Sequence, residues 1–319
     1  MSDVKVRLGR RLFYDARLSG NGTYSCASCH KQALAFSDGR AHALGSTGQE
    51  HPRSAMSLTN VAFNASYGWA SPKTRTLEAQ MLVPMLNEHP IEMGLKGNEA
   101  AIVGRIASDE DDAALFREAF GVAQGAITLD VIVKGIASFE RTLVSADSPF
   151  DRYLYRDDRS ALTAEARRGM DLFFSDRLAC AQCHSGFNLS GPTIHQGSAP
   201  VPPSFHNTGL YNVDGHGAYP AIDRGLLDVT HVSSDMGKFR APTLRNIAVT
   251  APYMHDGSIP TLEAAVVHYA SGGVDSPFKS PRLKGFEATP RDVSDLVAFL
   301  VSLTDEAFLK NPELSASRQ

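Results

Sequence analysis

The chain has 319 residues, a length that is typical of two domains. Hydrophobic residues make up 43 % and charged residues 21 %, an ordinary globular composition that excludes disordered, collagen-like and coiled-coil proteins. The net charge of −4 offers no basic excess for nucleic acid, and no apolar run reaches the roughly 18 residues that a membrane span requires. We therefore expect a globular protein without nucleic acid or a membrane span among its partners.

The N-terminal half contains a cysteine motif at 26–30 and, later, one strongly periodic helix. Thr128 can cap this helix, because apolar residues follow it at helical spacing, at Leu129, Ile132, Val133, Ile136, Phe139 and Leu143. The turn-rich residues 145–149 come next. They predict a boundary between a first domain at 1–147 and a second at 148–319.

The C-terminal half repeats this order of features. A helix capped at Thr163 is predicted to run to about Phe174, and the sequence LFFSDRL at 172–178 resembles LFYDARL at 12–18. Residues 186–260 are rich in Gly, Pro, Asn and Asp without a sustained period, which indicates loops wrapped around a ligand. A last helix begins at Thr289, with a proline at its first position. The repeat indicates a duplicated unit.

All four cysteines lie in two copies of the pattern C-x-x-C-H, formed by Cys26, Cys29 and His30 and by Cys180, Cys183 and His184. This pattern attaches c-type haem: the thiols form thioethers with the vinyl groups, and the histidine ligates the iron. A zinc site made from both pairs would leave the histidines unexplained, and a redox disulfide would not need them. The sequence therefore predicts two covalently bound haem c groups, each in a cytochrome c-like domain, within an all-α fold with long irregular loops.

Covalent haem attachment predicts a periplasmic protein, because it requires export of the unfolded chain. The first residues, MSDVK, lack the apolar segment of a signal peptide. We expect that an engineered methionine has replaced the signal peptide; the alternative is a natural start further upstream.

The chain resembles the bacterial dihaem cytochrome c peroxidases and, more closely, the MauG-type dihaem enzymes. Besides the two haem motifs, four segments carry the resemblance: LGRRLFYD at 8–15, FHNTGLY at 205–211, GKFRAPTLRN at 237–246 and TAPYMHDG at 250–257. The resemblance implies that the N-terminal haem reacts with hydrogen peroxide. The C-terminal haem would then store or relay electrons.

The resemblance places Tyr269 at the sixth-ligand position of the second haem iron, where the peroxidases have methionine and the MauG-type enzymes tyrosine. An anionic oxygen ligand favours the oxidised iron, whereas a thioether raises the reduction potential. His268 is the adjacent alternative, but its side chain would point about 100° away on a helix. Met254 and Met236 are more typical of packing residues. Tyr269 itself could instead be a half-buried aromatic residue.

For the first haem, the peroxidases have a distal histidine, and the corresponding position falls near Ser46. Serine is not a plausible iron ligand. The nearest spare histidines, His42 and His51, are expected to be surface loop residues. The resemblance thus implies an iron that is open or water-bound on its distal side.

The distal wall of the first haem is implied to contain Gln80, Pro84 and Glu92. Glu92 would be the acid/base that moves a proton from the inner to the departing oxygen of peroxide. Gln80 and Pro84 would line the pocket. Because the segment 87–90 is longer than the family's linker, Glu88 is the alternative acid.

Two further sites follow from the resemblance. Trp69, the only tryptophan, is implied to lie between the haems and to mediate electron sharing; the alternative is core packing. A calcium ion is implied between the domains, held by the Asn60 side chain, the carbonyls of Thr250 and Pro252, and water. The MauG enzyme that matures methylamine dehydrogenase has a surface tryptophan where this chain has Leu178, so the resemblance does not extend to that partner.

Three functions remain open at this point. The first is a MauG-type enzyme that uses hydrogen peroxide to oxidise a protein side chain or another donor. The second is a conventional peroxidase that reduces peroxide with electrons from a small cytochrome or cupredoxin. The third is a dihaem electron carrier, which normally has two six-coordinate irons. The missing distal histidine and Tyr269 favour the first.

Overall fold

The computed structural model of the protein describes residues 1–199 and 201–316 and is mostly helical. The helices are α1 (Asp3–Phe13), α2 (Cys26–Cys29), α3 (Leu77–Leu86), α4 (Glu99–Ala107), α5 (Glu110–Phe120), α6 (Leu129–Glu140), α7 (Pro149–Tyr155), α8 (Ala164–Phe174), α9 (Leu227–Thr230), α10 (Leu262–Ser271), α11 (Pro290–Val301) and α12 (Glu306–Lys310). Within the described residues, β1 (Phe205–His206) and β2 (Phe239–Arg240) form one antiparallel strand pair. The mostly helical class is therefore confirmed.

Three helices begin at the capping residues that the sequence predicted. The hydroxyl of Thr128 accepts a hydrogen bond from the Val131 N–H and starts α6, and Thr163 caps α8 in the same way. α11 begins after Thr289, with a proline in its first turn. These caps satisfy N–H groups that have no partner inside the helix. Between α8 and α10 the chain is largely irregular, as the composition predicted.

The buried apolar residues form two large cores. The first is built from α1 and α3–α6 around residues such as Phe13, and the second from α7, α8, α10 and α11 around Phe173. Helix α12 packs on the first core, where the Phe308 ring lies 5.7 Å from the Phe36 ring. The division at residue 147 stays a prediction, and a cut there would separate α12 from its packing partners. In the described ranges, no helix is long and apolar enough to cross a membrane.

Each core contains a close helix crossing made possible by glycine. α1 crosses α6 where a Cβ on Gly9 would overlap the carbonyl oxygen of Gly135. α8 crosses α11 where a Cβ on Gly169 would overlap the carbonyl oxygen of Asp295. In both units, the helix that precedes the haem motif therefore lies backbone to backbone against a later helix. This correspondence is what a duplicated unit would produce.

We expect alanine at either crossing to lower the free energy of unfolding by about 2 kcal/mol, because the two backbones must separate to admit a methyl group. Gly9→Ala and Gly169→Ala can be compared by denaturant unfolding of the holoprotein. Gly104→Ala is the matched control, since no atom lies within 4 Å of a Cβ built there. Gly104→Ala should raise the free energy of unfolding by up to about 1 kcal/mol, because alanine has the higher helix propensity. Equal effects at the three positions would contradict the role of the crossings.

Candidate haem sites and the distal wall

The first cysteine motif forms the short helix α2, and its histidine is oriented by a backbone carbonyl. Nδ1 of His30 lies 2.7 Å from the carbonyl oxygen of Phe36. Because a carbonyl can only accept, Nδ1 carries the proton and Nε2 keeps its lone pair for a metal. Burial lowers the pKa of His30, which further favours the neutral ligand.

The second motif repeats this arrangement on a different loop. Nδ1 of His184 lies 2.8 Å from the carbonyl oxygen of Leu189, and burial again lowers the pKa of the histidine. The intervening turn needs Gly186, whose φ is +73°. Both histidines are thus held as neutral ligands with Nε2 available.

The four thiols are free, and burial raises the pKa of Cys29 and of Cys180 to about 11. In the described part of the chain, no three His, Cys, Asp or Glu residues are grouped to hold a metal ion. The zinc and disulfide alternatives therefore find no site among the described residues. Unpaired thiols next to an oriented histidine fit thioether attachment of haem.

Arg240 provides an independent test of whether the chain fits a haem. Its Nε donates to the Gly68 carbonyl at 3.2 Å, its Nη2 lies 3.4 Å from the Met56 sulfur, and burial lowers its pKa to about 10. Within residues 1–199 and 201–316, no carboxylate pairs with this guanidinium. A buried cation requires an anion, and the propionates of haem c would supply one. Arg240 lies in the segment 237–246 but was not among the predicted site residues.

Helix α3 brings two of the predicted distal residues together. Gln80 and Pro84 are four residues apart and so share one face of the helix. The Met93 N–H donates to the carbonyl oxygen of Pro84 at 2.9 Å, which draws the chain after α3 back along the helix. Glu92 precedes Met93 and is thereby held beside Pro84.

Glu92 faces the first haem motif. Burial raises its pKa to about 7, although a hydrogen bond from Asn87 opposes this, and its charge contributes to the raised pKa of Cys29. Glu88, in contrast, is exposed and lies 3.6 Å from the Lys96 ammonium. The geometry supports Glu92 over Glu88 as the distal acid, whose role stays a prediction.

The segment that contains Ser46 packs on the same wall. The Ser46 N–H donates to the carbonyl oxygen of Glu92 at 2.7 Å. His42 is exposed and lies 3.7 Å from a Glu50 oxygen, and Nδ1 of His51 accepts a hydrogen bond from the Arg53 N–H at 3.1 Å. His42 is thus a surface residue as predicted, whereas His51 is half-buried, contrary to the prediction; that neither binds the iron stays a prediction.

Tyr269 lies in α10, which begins after Thr261 and ends before Gly272. Burial is the main cause that raises the pKa of Tyr269, and the thiols of Cys183 and Cys180 add to it, so the phenol lies near the second motif. The neighbouring His268 is directed elsewhere, because its Nε2 lies 2.9 Å from the Thr208 carbonyl oxygen.

The two methionine candidates have other surroundings. Met236 packs against the buried ring of Tyr219 and its neighbours. The Met254 carbonyl oxygen accepts a 3.5 Å hydrogen bond from the Ser54 hydroxyl. The structure thus supports Met236 as a packing residue.

Trp69 lies at a junction between the two halves of the chain. Its indole N–H donates to the Ser54 carbonyl at 2.9 Å, and its own carbonyl accepts from the Arg240 N–H at 2.8 Å. This location is compatible with the predicted bridging role. Leu178, two residues before the second haem motif, is buried in the second core.

The Asn60 amide, a predicted calcium ligand, is hydrogen-bonded inside the protein. Asn60 is fully buried, and its amide is bonded to the Ser145 backbone, with Nδ2 donating at 2.9 Å and Oδ1 accepting at 2.7 Å. An ion would have to share Oδ1 with Ser145. The three predicted ligand atoms are all oxygen acceptors, which would meet at an ion and not bond to one another, so calcium stays a prediction.

Glu140, the last residue of α6, is a buried acid that was not among the predicted site residues. Its side chain is 8 % exposed, burial raises its pKa to about 8, and its charge acts on the buried thiol of Cys26. The sequence could have indicated this buried acid, because Glu140 follows Ile136 by four residues on the apolar face of the helix. An acidic residue in that register is either paired or kept neutral.

Comparisons with known proteins agree with this geometry. The family described as di-haem cytochrome c peroxidase matches residues 3–159, and a family of RoxA-like, cytochrome c-like proteins matches residues 238–268. The methylamine utilization protein MauG of Methylorubrum extorquens is 36 % identical over 315 residues, covering 98 % of this chain and 82 % of that protein. The chain belongs to the dihaem cytochrome c peroxidase and MauG family.

Two further similar proteins are a cytochrome c peroxidase and a MauG-like protein. Cytochrome c peroxidase Ccp of Escherichia coli is 37 % identical over 94 % of this chain and 58 % of its own length. The crystal structure of a MauG-like protein associated with microbial copper homeostasis is 44 % identical, with a TM-score of 0.96 over 99 % of this chain and 93 % of that one. Proteins of this family bind two c-type haems, act on hydrogen peroxide and exchange electrons with a partner.

Proposed function

We propose that the chain is a periplasmic MauG-like enzyme that reacts with hydrogen peroxide at its N-terminal haem and oxidises a protein or a small electron donor. The observation that supports the proposal is that α10, the helix of Tyr269, contributes Val266 to the second core, against which Cys180 packs, while His268 is bonded to the Thr208 carbonyl. A phenolate ligand would stabilise the oxidised iron and so favour sharing of oxidising equivalents over simple electron donation.

The residues of the first site support direct reaction with peroxide. Glu92 has a pKa of about 7, so at neutral pH it can both take a proton and return it. Gln80 and Pro84 restrict the space beside it, and Ser46 stands where a distal histidine would otherwise be expected. When bound, haem c supplies the iron that cleaves peroxide and holds the oxidising equivalents. Trp69 would connect the two sites.

The physiological setting that we propose is copper handling. The MauG-like structure associated with microbial copper homeostasis supports this, because its identity of 44 % extends over 99 % of this chain. The donor would then be a protein or small molecule of the same process. Deletion of the gene should alter copper-dependent growth, and a gene encoding Glu92→Gln should not restore it. Unaltered growth across copper concentrations would contradict this setting.

A conventional peroxidase is the second candidate, supported by the 37 % identity to Ccp of Escherichia coli. The resting spectrum of the fully oxidised holoprotein distinguishes the MauG-like enzyme from the conventional peroxidase. The MauG-like proposal predicts two different haems. The first would be high-spin, with no protein ligand on the side of Glu92, and the second would be low-spin, without the absorption band of a methionine–iron bond. Two low-spin haems, one with that band, would support the conventional peroxidase instead.

A further inference from the structure

A group of aromatic rings extends from Trp69 towards the surface of the C-terminal half. We call it the aromatic cluster; it consists of Tyr211, Tyr219, Phe239 and His255. The rings of Phe239 and His255 are stacked with centroids 3.8 Å apart, and Tyr219 lies 6.1 Å from Phe239. The Tyr211 and Tyr219 rings are 5.4 Å apart. Such spacings permit rapid electron exchange from ring to ring.

Trp69 is joined to the cluster by packing and by hydrogen bonds. It packs against the group that contains the buried Tyr219 and Phe239. Its indole N–H donates to the Ser54 carbonyl, and the Ser54 N–H donates to the His255 carbonyl at 2.8 Å. Trp69, the predicted bridge between the haems, is thus linked to this group by packing and, through Ser54, by two hydrogen bonds.

The two tyrosines differ in what their hydroxyl groups can do with a proton. Tyr219 is buried, donates to the Asn207 amide oxygen at 3.1 Å and accepts from the Leu210 N–H. Neither partner is a base. Tyr211 donates to the carboxylate of Asp256, with 2.5 Å between the oxygens. In the described part of the chain, no other tyrosine hydroxyl donates to a carboxylate.

The charge state of the pair suits proton transfer after oxidation. Burial, and then the hydrogen bond to Asp256, raise the pKa of Tyr211 to about 12, so the phenol is neutral before it reacts. Burial opposes ionisation of Asp256, but the Tyr211 hydroxyl and His255 keep its pKa below the ordinary value. An ionised acceptor thus faces a neutral phenol. Loss of an electron makes a phenol strongly acidic, so its proton would pass to this acceptor.

Tyr211 also lies where the chain reaches solvent. It is half-buried, residues 213–216 beyond it are exposed, and the Val213 side chain is 62 % exposed. Tyr219 behind it is 3 % exposed. A donor that cannot enter the protein could approach Tyr211 and not Tyr219.

We propose that Tyr211 is the residue through which oxidising equivalents leave the protein, with Asp256 as its proton acceptor. This inference rests on the proposed function, because the oxidant is the enzyme after reaction with hydrogen peroxide. Tyr211 gives one electron through the aromatic cluster and Trp69 to the oxidised enzyme, and its phenolic proton moves to Asp256. An external donor then returns one electron to the tyrosyl radical, and Asp256 returns the proton.

The test is freeze-quench electron paramagnetic resonance of the holoprotein after one equivalent of hydrogen peroxide. We expect a narrow organic radical signal in the wild type, whose hyperfine pattern changes when tyrosine is ring-deuterated. Tyr211→Phe should lose this signal. Asp256→Asn should weaken it, because a carboxamide accepts the hydrogen bond but not the proton. Tyr155→Phe is the control, since Tyr155 is 63 % exposed on α7, and it should keep the signal.

The outcomes distinguish this inference from the proposed function. If peroxide leaves the Soret band of the wild-type protein unchanged, both fail. If the Soret band responds but the tyrosyl signal is absent, or survives in Tyr211→Phe, only the inference fails. A signal unchanged in Asp256→Asn would overturn the assigned proton transfer. Haem content and helical circular dichroism of each variant show whether it has folded.

Discussion

Glu92→Gln is expected to slow the reaction of the oxidised holoprotein with hydrogen peroxide by about 10²- to 10⁴-fold, the usual contribution of a general acid/base. The amide keeps the shape of the side chain and can still accept a hydrogen bond, but it cannot take the proton from peroxide. The measurement is the second-order rate constant for the Soret change. Binding of both haems should be unaffected, because Glu92 belongs to neither attachment motif.

The pH dependence of the same rate constant checks this assignment. Burial raises the pKa of Glu92 to about 7, and only the ionised carboxylate can accept a proton. The rate constant should therefore rise with pH through about 7 and level off above it. Glu92→Gln should remove this dependence.

Glu88→Gln is the matched control for the carboxylate. Glu88 is exposed and lies beside Lys96, so its loss should leave the rate constant and its pH profile unchanged. A large loss in Glu88→Gln, together with a normal Glu92→Gln, would show that the distal acid has been assigned to the wrong residue.

Tyr269→Met is expected to raise the reduction potential of the second haem by an amount on the order of tenths of a volt, since axial ligands set haem potentials across a wide range. A neutral thioether stabilises the reduced iron, whereas a phenolate stabilises the oxidised iron. The visible spectrum should gain the band of a methionine–iron bond. Spectroelectrochemistry of the variant measures both effects.

Two controls accompany this variant. Tyr155→Met makes the same substitution at an exposed position and should change neither haem. His268→Gln removes the adjacent candidate, whose imidazole contacts the Thr208 carbonyl, and should leave the potential of the second haem unchanged. A Tyr269→Met protein with an unaltered spectrum, or a His268→Gln protein with an altered one, would contradict the ligand assignment.

Much of the fold could be predicted because its signals are local. The helices after Thr128, Thr163 and Thr289 each combine a capping hydroxyl with apolar residues at helical spacing, and both signals can be seen within a dozen residues. The packing of α12 on the first core could not be predicted in this way. It depends on contacts such as Phe308 with Phe36, far apart in the sequence.

The site was predictable only where a motif fixes the chemistry. The two C-x-x-C-H patterns and the family's segments indicated His30, His184 and the distal residues. Arg240 and the Tyr211–Asp256 pair were missed because they lie in long irregular segments without periodicity, where proximity depends on the tertiary fold. The calcium site at Asn60 was implied by the resemblance alone and stays a prediction; the fold adds the hydrogen bonds between its amide and the Ser145 backbone.

The most direct test of the account is to mix fully oxidised holoprotein with one equivalent of hydrogen peroxide and to record the Soret and near-infrared absorption by stopped flow. We predict a rapid Soret change and a new near-infrared band without prior reduction, because in the proposed function Glu92 would act at an open first haem, and Trp69 would connect that haem to a tyrosine-ligated second haem. No reaction until one haem has been reduced would contradict the account. It would reveal a sixth ligand on the first haem, from His42 or His51, and a conventional peroxidase.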